Sequence, residues 1–219
     1  MAKEERAVGN FHRVRMQDFG VLEIRQGDTE SLIVETDKDT MGKIYTEVRD
    51  GELILRVGRG FLERLEVGLQ TSLTRPQLRY KLTVKDLSGL IVAGFGRVAV
   101  GDLTADRLSV RLAGGGDIVF SSLTADSVDV ELTGAGQVEI AGKVKEQAVS
   151  LSGAGRYAAG KLESQRASVT ISGAGNASVW ASEDLDVTLS GVGSVEYYGN
   201  PRVKQRTSGL GSIHQVDTH

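Results

Sequence analysis

Apolar and polar residues alternate along most of this chain, and a recurring glycine corner interrupts the alternation at nearly fixed intervals. "LTGAGQVEI" from Leu132 returns as "LSGAGRYAAG" from Leu151, "ISGAGNASVW" from Ile171 and "LSGVGSVEYYG" from Leu189. The Gly-x-Gly corners begin at Gly94, Gly114, Gly134, Gly153, Gly173, Gly191 and Gly209, with intervals of 20, 20, 19, 20, 18 and 18 residues. A repeat of this length marks a solenoid. Six, four and two residues before a corner stand Leu108/Val110/Leu112, Val128/Val130/Leu132, Gln147/Val149/Leu151, Ala167/Val169/Ile171 and Leu185/Val187/Leu189. This period of two predicts a strand with one face inward.

Four and six residues after a corner the pattern resumes, as in Val98/Val100, Ile118/Phe120, Tyr157/Ala159 and Val195/Tyr197, and nine residues on stand Leu103, Leu123 and Leu162. Three short sides in about 20 residues, with no helical period between them, predict an all-β fold, a right-handed parallel β-helix of about 18–20 residues per coil. The glycines are expected at the corners for two reasons, positive φ and crowding between stacked coils. The small residues before them, Thr133, Ser152, Ser172, Ser190 and Ser208, are expected to tie the corner through their side chains.

The regular repeats occupy residues 87–219, and their last coil reads as a cap because its inward positions, Val203, Gln205 and Thr207, turn polar. Residues 11–86 alternate less regularly, in "VLEIRQG", "SLIVETD", "KIYTEVRDG" and "ELILRVG", and are expected to form wider, irregular coils continuous with the repeats. A separate β subdomain is the alternative. "QDFGVLEI" around Gly20 reads as a degenerate corner, Phe61 to Pro76 as a protruding loop or short helical turn, and residues 1–10 as an N-terminal tail.

Taken together, "FHRVRMQDFGVLEIRQGDTESLIVETD", "IYTEVRDGELIL", the "SGAG" repeats and "SVEYYGNPRVKQRTSGLGSI" resemble the GIN-domain family of bacterial adhesin heads. The resemblance runs from Phe11 to Ile213, and its most specific part is Tyr197-Tyr198-Gly199-Asn200-Pro201 followed by Ser208-Gly209-Leu210-Gly211-Ser212. It implies a β-helical fold and an exported protein of the periplasm, cell surface or exterior. It carries no catalytic residues over.

Composition removes several functions. With 26 basic and 29 acidic side chains, the chain lacks the positive footprint of a nucleic-acid binder. Zero cysteine excludes disulfides, zinc thiolate sites and cysteine nucleophiles. There is no run of about 18 apolar residues to cross a bilayer as a helix, and the charged stretch Met1 to Val14 lacks the apolar region of a signal peptide. A dinucleotide fingerprint needs a third glycine and a following helix, but Ala99, Val119 and Glu139 stand where that glycine would be. A calcium ladder needs a carboxylate on every turn; the residues after the corners are Arg97, Asp117, Gln137, Arg156, Asn176, Ser194 and Ser212. No cofactor and no metal site is expected. His12, His214 and His219 lie at opposite ends of the chain.

What remains are binding candidates. Trp180 and Tyr198 are aromatic faces suited to a sugar ring, with Tyr197 on an inward position; Ser150, Thr170 and Thr188 form an outward hydroxyl row. The expected function is a non-enzymatic module of the envelope or surface, adhesin-like or structural, whose partner is a surface glycan, a cell-wall polymer or protein, or a second copy of the chain. One rival is a β-helical lyase or glycosidase, for which Asp129 and Glu131 supply the nearest carboxylates. The other is a self-assembling scaffold resembling bactofilins.

Overall fold

The structure, a computed structural model, describes residues 1–58 and 77–217; the Phe61 to Pro76 stretch lies outside the described residues. In chain order the elements are β1 (Ala2–Arg6), β2 (Arg13–Met16), β3 (Phe19–Gln26), β4 (Ser31–Thr36), the short helix α1 (Lys38–Met41), β5 (Ile44–Arg49), β6 (Glu52–Val57), β7 (Arg79–Val84) and β8 (Gly89–Val92). Three long bent strands follow, β9 (Phe95–Leu112), β10 (Gly115–Leu132) and β11 (Ala135–Leu151). Shorter ones complete the chain: β12 (Ala154–Glu163), β13 (Arg166–Ile171), β14 (Ala174–Trp180), β15 (Asp184–Leu189), β16 (Val192–Tyr198), β17 (Arg202–Thr207) and β18 (Leu210–Gln215). They join in one sheet wound into a β-solenoid of about six turns.

Each coil pairs in parallel with the next at a constant offset, so chemically equivalent positions stack. Val110, Val130, Val149, Val169 and Val187 form one inward column through the pairs β9–β10, β10–β11, β11–β13 and β13–β15, all 4% exposed or less. The inward columns anticipated from the alternation merge into a single apolar core from Phe11 to Val195. A side chain buried in such a column contributes about 1.5–3 kcal/mol.

The corner glycines answer to crowding more than to backbone conformation. None of the first glycines of the seven corners has positive φ. Their carbonyls instead accept from the coil above, as in Ala135 N to Gly114 O at 2.9 Å and Ala174 N to Gly153 O at 3.0 Å. A Cβ on Gly134, Gly153 or Gly173 would sit deep inside contact distance of the carbonyl oxygen of the glycine one coil below. Among the second glycines, Gly116 does need positive φ, at 124°. The expected side-chain ties are largely replaced by main-chain bonds, such as Ser152 N to Leu132 O at 3.0 Å; of the five small corner residues, Ser190 ties through its hydroxyl, with Oγ donating to Ile171 O at 3.5 Å.

In the N-terminal half the stack order departs from the chain order. The coil of β2 and β3 lies between the coil carrying β6 and β7 and the coil of β8 and β9: Arg13 pairs with both Glu52 and Gly89, and Val21 with both Arg79 and Arg97. Gly20 stacks under Gly96 as the degenerate corner, with Asp18 in the place of the first glycine; its carbonyl accepts from Phe95 N at 2.6 Å and its carboxylate from Val57 N at 2.7 Å. Beyond this coil the end of the sheet is antiparallel, β5 on β6 and β1–β4–β7. Residues 1–10 therefore do not all form a tail, since Ala2 to Arg6 make an edge strand. A charged antiparallel edge is a common way to stop further parallel pairing.

Two carboxylates help hold this end. Glu35 accepts from Lys81 Nζ at 2.9 Å, and Asp37, the N-cap of α1, accepts from Thr40 N at 2.8 Å; these hydrogen bonds hold both carboxyls below their ordinary range. Because the folded values are depressed, their contribution is complete above the ordinary carboxylate range, about pH 4, and is lost as pH falls through the folded values. Hydrogen-exchange protection of β1 and β4 is expected to fall in acid before that of β9 to β11. Simultaneous loss in both regions would contradict this assignment.

Candidate functional site

At the corner between the third side of the solenoid and the side that carries β13 and β15, the chain places small residues between longer ones. Ala105, Ala125, Val144 and Ser164 follow one another up the stack, flanked on one side by Thr104, Thr124, Lys143 and Glu163 and on the other by Asp106, Asp126, Lys145 and Gln165. The small row is mostly buried, with Ala125 at 9%, Val144 and Ser164 at 3%, while the flanking rows are exposed. A longitudinal groove of about 600 Å³ results, running over five coils and completed at its upper end by Trp180 and Ser182.

The groove carries little net charge. Lys145 Nζ lies 2.6 Å from Asp126 and Lys143 Nζ 3.9 Å from Glu163, which leaves Asp106 as the excess carboxylate of the lining. The hydrogen bond to Asp126 raises the pKa of Lys145, so that pair stays ionised.

Trp180 stands on a built support. Its carbonyl accepts from Ser164 Oγ at 2.6 Å and from Gln147 Nε2 at 3.0 Å; Gln147 Nε2 also donates to Ser164 Oγ at 3.0 Å, and Gln147 Oε1 accepts from Tyr157 Oη at 3.1 Å. All three side chains are 3% exposed or less, and burial drives the Tyr157 phenol far above its usual range, keeping it a donor. A buried polar group without partners would be costly, whereas this network is mutually satisfied and fixes the end of β14. Its signal in the sequence was Gln147 in a column otherwise filled by Leu, Val and Ala, with Tyr157 in the next inward column; neither was singled out there.

The candidates chosen from sequence do not form one site. Trp180 and Tyr198 are in register on neighbouring coils, yet Tyr198 folds its ring back toward Gly160, where a Cβ would lie 2.6 Å from Tyr198 Cε2. Tyr198 stays outside the groove lining, and Tyr197 packs against the core. Ser150, Thr170 and Thr188 are stacked in register on a different face. Ser150 and Thr170 line a shallow depression of about 390 Å³ with Ser109, Asp129, Glu131 and Ser168, and Thr188 lies beyond it. Glu131 is paired there with Arg111 at 3.5 Å. Among the described residues, no group of three or more His, Asp or Glu side chains gathers as a metal site would require.

Sequence comparison places residues 10–201 within the family described as "putative auto-transporter adhesin, head GIN domain". Among curated proteins none matches the chain. Solved structures share its fold over nearly the whole length. An adhesin, so described provisionally, of Bacteroides fragilis is 24% identical with a TM-score of 0.84, covering 98% of this chain and 96% of its own. A Parabacteroides distasonis protein described as a "putative lipid binding protein" is 21% identical with a TM-score of 0.75, covering 99% and 96%. A second P. distasonis protein, described as a "putative adhesin", is 19% identical with a TM-score of 0.70, covering 98% and 96%. At these identities the likeness is one of fold.

Proposed function

Since this chain belongs to the GIN-domain family of auto-transporter adhesin heads, we propose that it is a non-enzymatic binding module of the cell surface or envelope that holds an extended ligand along its rod. The groove spanning five coils carries this reading. Four successive coils repeat one cross-section, a small residue between two longer polar ones, which suits a chain running parallel to the solenoid axis. The outward charges support a presenting rather than a catalytic surface, because they are paired from coil to coil, as in Arg97 with Asp117 at 3.5 Å, Arg202 with Asp184 at 3.0 Å and Arg206 with Asp186 at 3.3 Å. Such exposed pairs keep register and contribute at most about 1 kcal/mol each.

Co-sedimentation of the purified chain with peptidoglycan sacculi, chitin, cellulose and protein fibres tests the proposal. Saturable retention on at least one polymer, with no new reducing ends or peptide termini released, is the expected result. Release of fragments would make the protein an enzyme, and retention on none of them would remove the binding function.

A further inference from the structure

We infer that the ligand of the groove is a neutral glycan chain, seated one ring per coil along Ala105, Ala125, Val144 and Ser164, with Trp180 as the platform at its end. This inference rests on the binding function proposed above and specifies its ligand. Four observations lead to it.

The first is the cross-section of the groove. Each coil offers a small floor residue between two polar ones, Thr104, Ala105 and Asp106 on one coil and Thr124, Ala125 and Asp126 on the next. A pyranose has the complementary section, with an apolar C–H face and hydroxyls around its rim.

The second is the repeat. Coils are stacked about 4.8 Å apart, close to the length that one pyranose adds to an extended glycan. Successive rings would therefore meet chemically similar floors.

Charge is the third. Two ammonium groups face three carboxylates in the lining, and four of the five charges are paired with one another. An acidic polymer would meet an excess carboxylate and no free cation, whereas Thr104, Thr124, Asp106, Gln165 and Ser182 can exchange hydrogen bonds with hydroxyls. An extended peptide is disfavoured on a separate ground. The main-chain groups along this side are already bonded between coils, as in Gln165 N to Lys145 O at 3.0 Å and Ser182 N to Ser164 O at 3.0 Å, so strand addition has no edge to use.

The fourth is Trp180. It is half-buried, lines the groove and, unlike Tyr197, is not packed against the core; its backbone is held by the buried Gln147–Ser164–Tyr157 network. An aromatic side chain, with few rotatable bonds, on an ordered main chain is the usual platform for an apolar ring face.

Trp180 is also the single tryptophan of the chain, so its fluorescence reports on the groove alone. The experiment titrates the full chain with cello- and chito-oligosaccharides of increasing length, with oligogalacturonates, and with short polyglutamate. Neutral oligosaccharides should shift the emission saturably, with affinity rising ring by ring up to about four or five rings, one for each coil. By isothermal titration calorimetry, which does not depend on the indole, Trp180→Ala and Ala125→Arg should each weaken binding by about tenfold or more, while Trp180→Phe retains most of it. Thr170→Ala, on the other face, should bind like the parent. Thermal melts identify any variant that fails to fold, and Ala125→Arg, at the rim of the core, and Trp180→Phe provide independent routes if Trp180→Ala does. If acidic oligomers or polyglutamate shift Trp180 and neutral glycans do not, the groove holds a polymer but the glycan assignment is wrong. Neutral binding that is independent of chain length, or unaffected by Ala125→Arg, would also overturn it. If no oligomer perturbs Trp180 and the parent is retained on none of the insoluble polymers, the binding function itself falls.

Discussion

Gly153→Val and Gly173→Val are each expected to lower stability by about 3–5 kcal/mol, against changes within about 0.5 kcal/mol for Ser150→Val and Thr170→Val. At the two glycines the new Cβ points into the main-chain carbonyl oxygen one coil below, Gly134 O and Gly153 O respectively. No rotamer relieves that clash, because the backbone fixes where Cβ sits and the oxygen it meets is itself main chain. The coils would have to separate, weakening bonds such as Ala154 N to Gly134 O at 3.1 Å and Ala174 N to Gly153 O at 3.0 Å. Ser150 and Thr170 instead direct their side chains off the sheet, where valine also suits a strand. Denaturant midpoints of the four variants decide the matter: equal midpoints would show that the corners tolerate a side chain and that stacking does not depend on the glycines.

Ending the chain after Gly199 is expected to make the protein associate end to end or aggregate more than the full chain does. The final coil, β17 and β18, covers Leu185, Val187, Leu189 and Val195, which are 0–1% exposed in its presence. Removing it would uncover apolar side chains whose burial contributes about 1.5–3 kcal/mol each, together with two unpaired strand edges. The coil itself suits a terminus. Val203, Gln205 and Thr207 are all exposed, and the outward Arg202 and Arg206 are tied to Asp184 and Asp186. Gln215 Nε2 further donates to Gly199 O at 2.9 Å. Solenoids need such an atypical outer repeat for solubility. Sedimentation velocity of the truncated and full chains is the measurement, and a truncated form as monodisperse as the parent would show that residues 200–219 are dispensable.

The two ends of the rod differ in how much could be read from residues alone. At the C-terminal end the change from an apolar to a polar coil was legible, because the columns keep their period while their contents change from Leu185, Val187 and Leu189 to Val203, Gln205 and Thr207. At the N-terminal end it was not. Alternation says that β2, β3, β6 and β7 are strands with one buried face, and it is silent about which coil each one stacks on. The coil of β2 and β3 turned out to lie between two coils that follow it in sequence, an arrangement held by pairings 39 and more residues apart, such as Arg13 with Glu52 and with Gly89.

The same distinction applies to the site. Trp180, Ser150 and Thr170 were visible as residue types, but the groove is made of Ala105, Ala125, Val144 and Ser164, none of which has chemistry that draws notice. Their meaning lies in the lengths of the side chains beside them and in the coils that stack them. Sequence by itself determined the local and periodic properties of this protein: strand alternation, the glycine corners and the near-constant coil length, because each depends on residues within one repeat. Tertiary structure alone decided that Gly134 needs no positive φ but cannot accept a Cβ, that Ala2 to Arg6 form an edge strand, and that Trp180 and Tyr198 part company despite adjacent register. Those outcomes depend on which atoms from other coils occupy the neighbouring space, and no period along the chain encodes that.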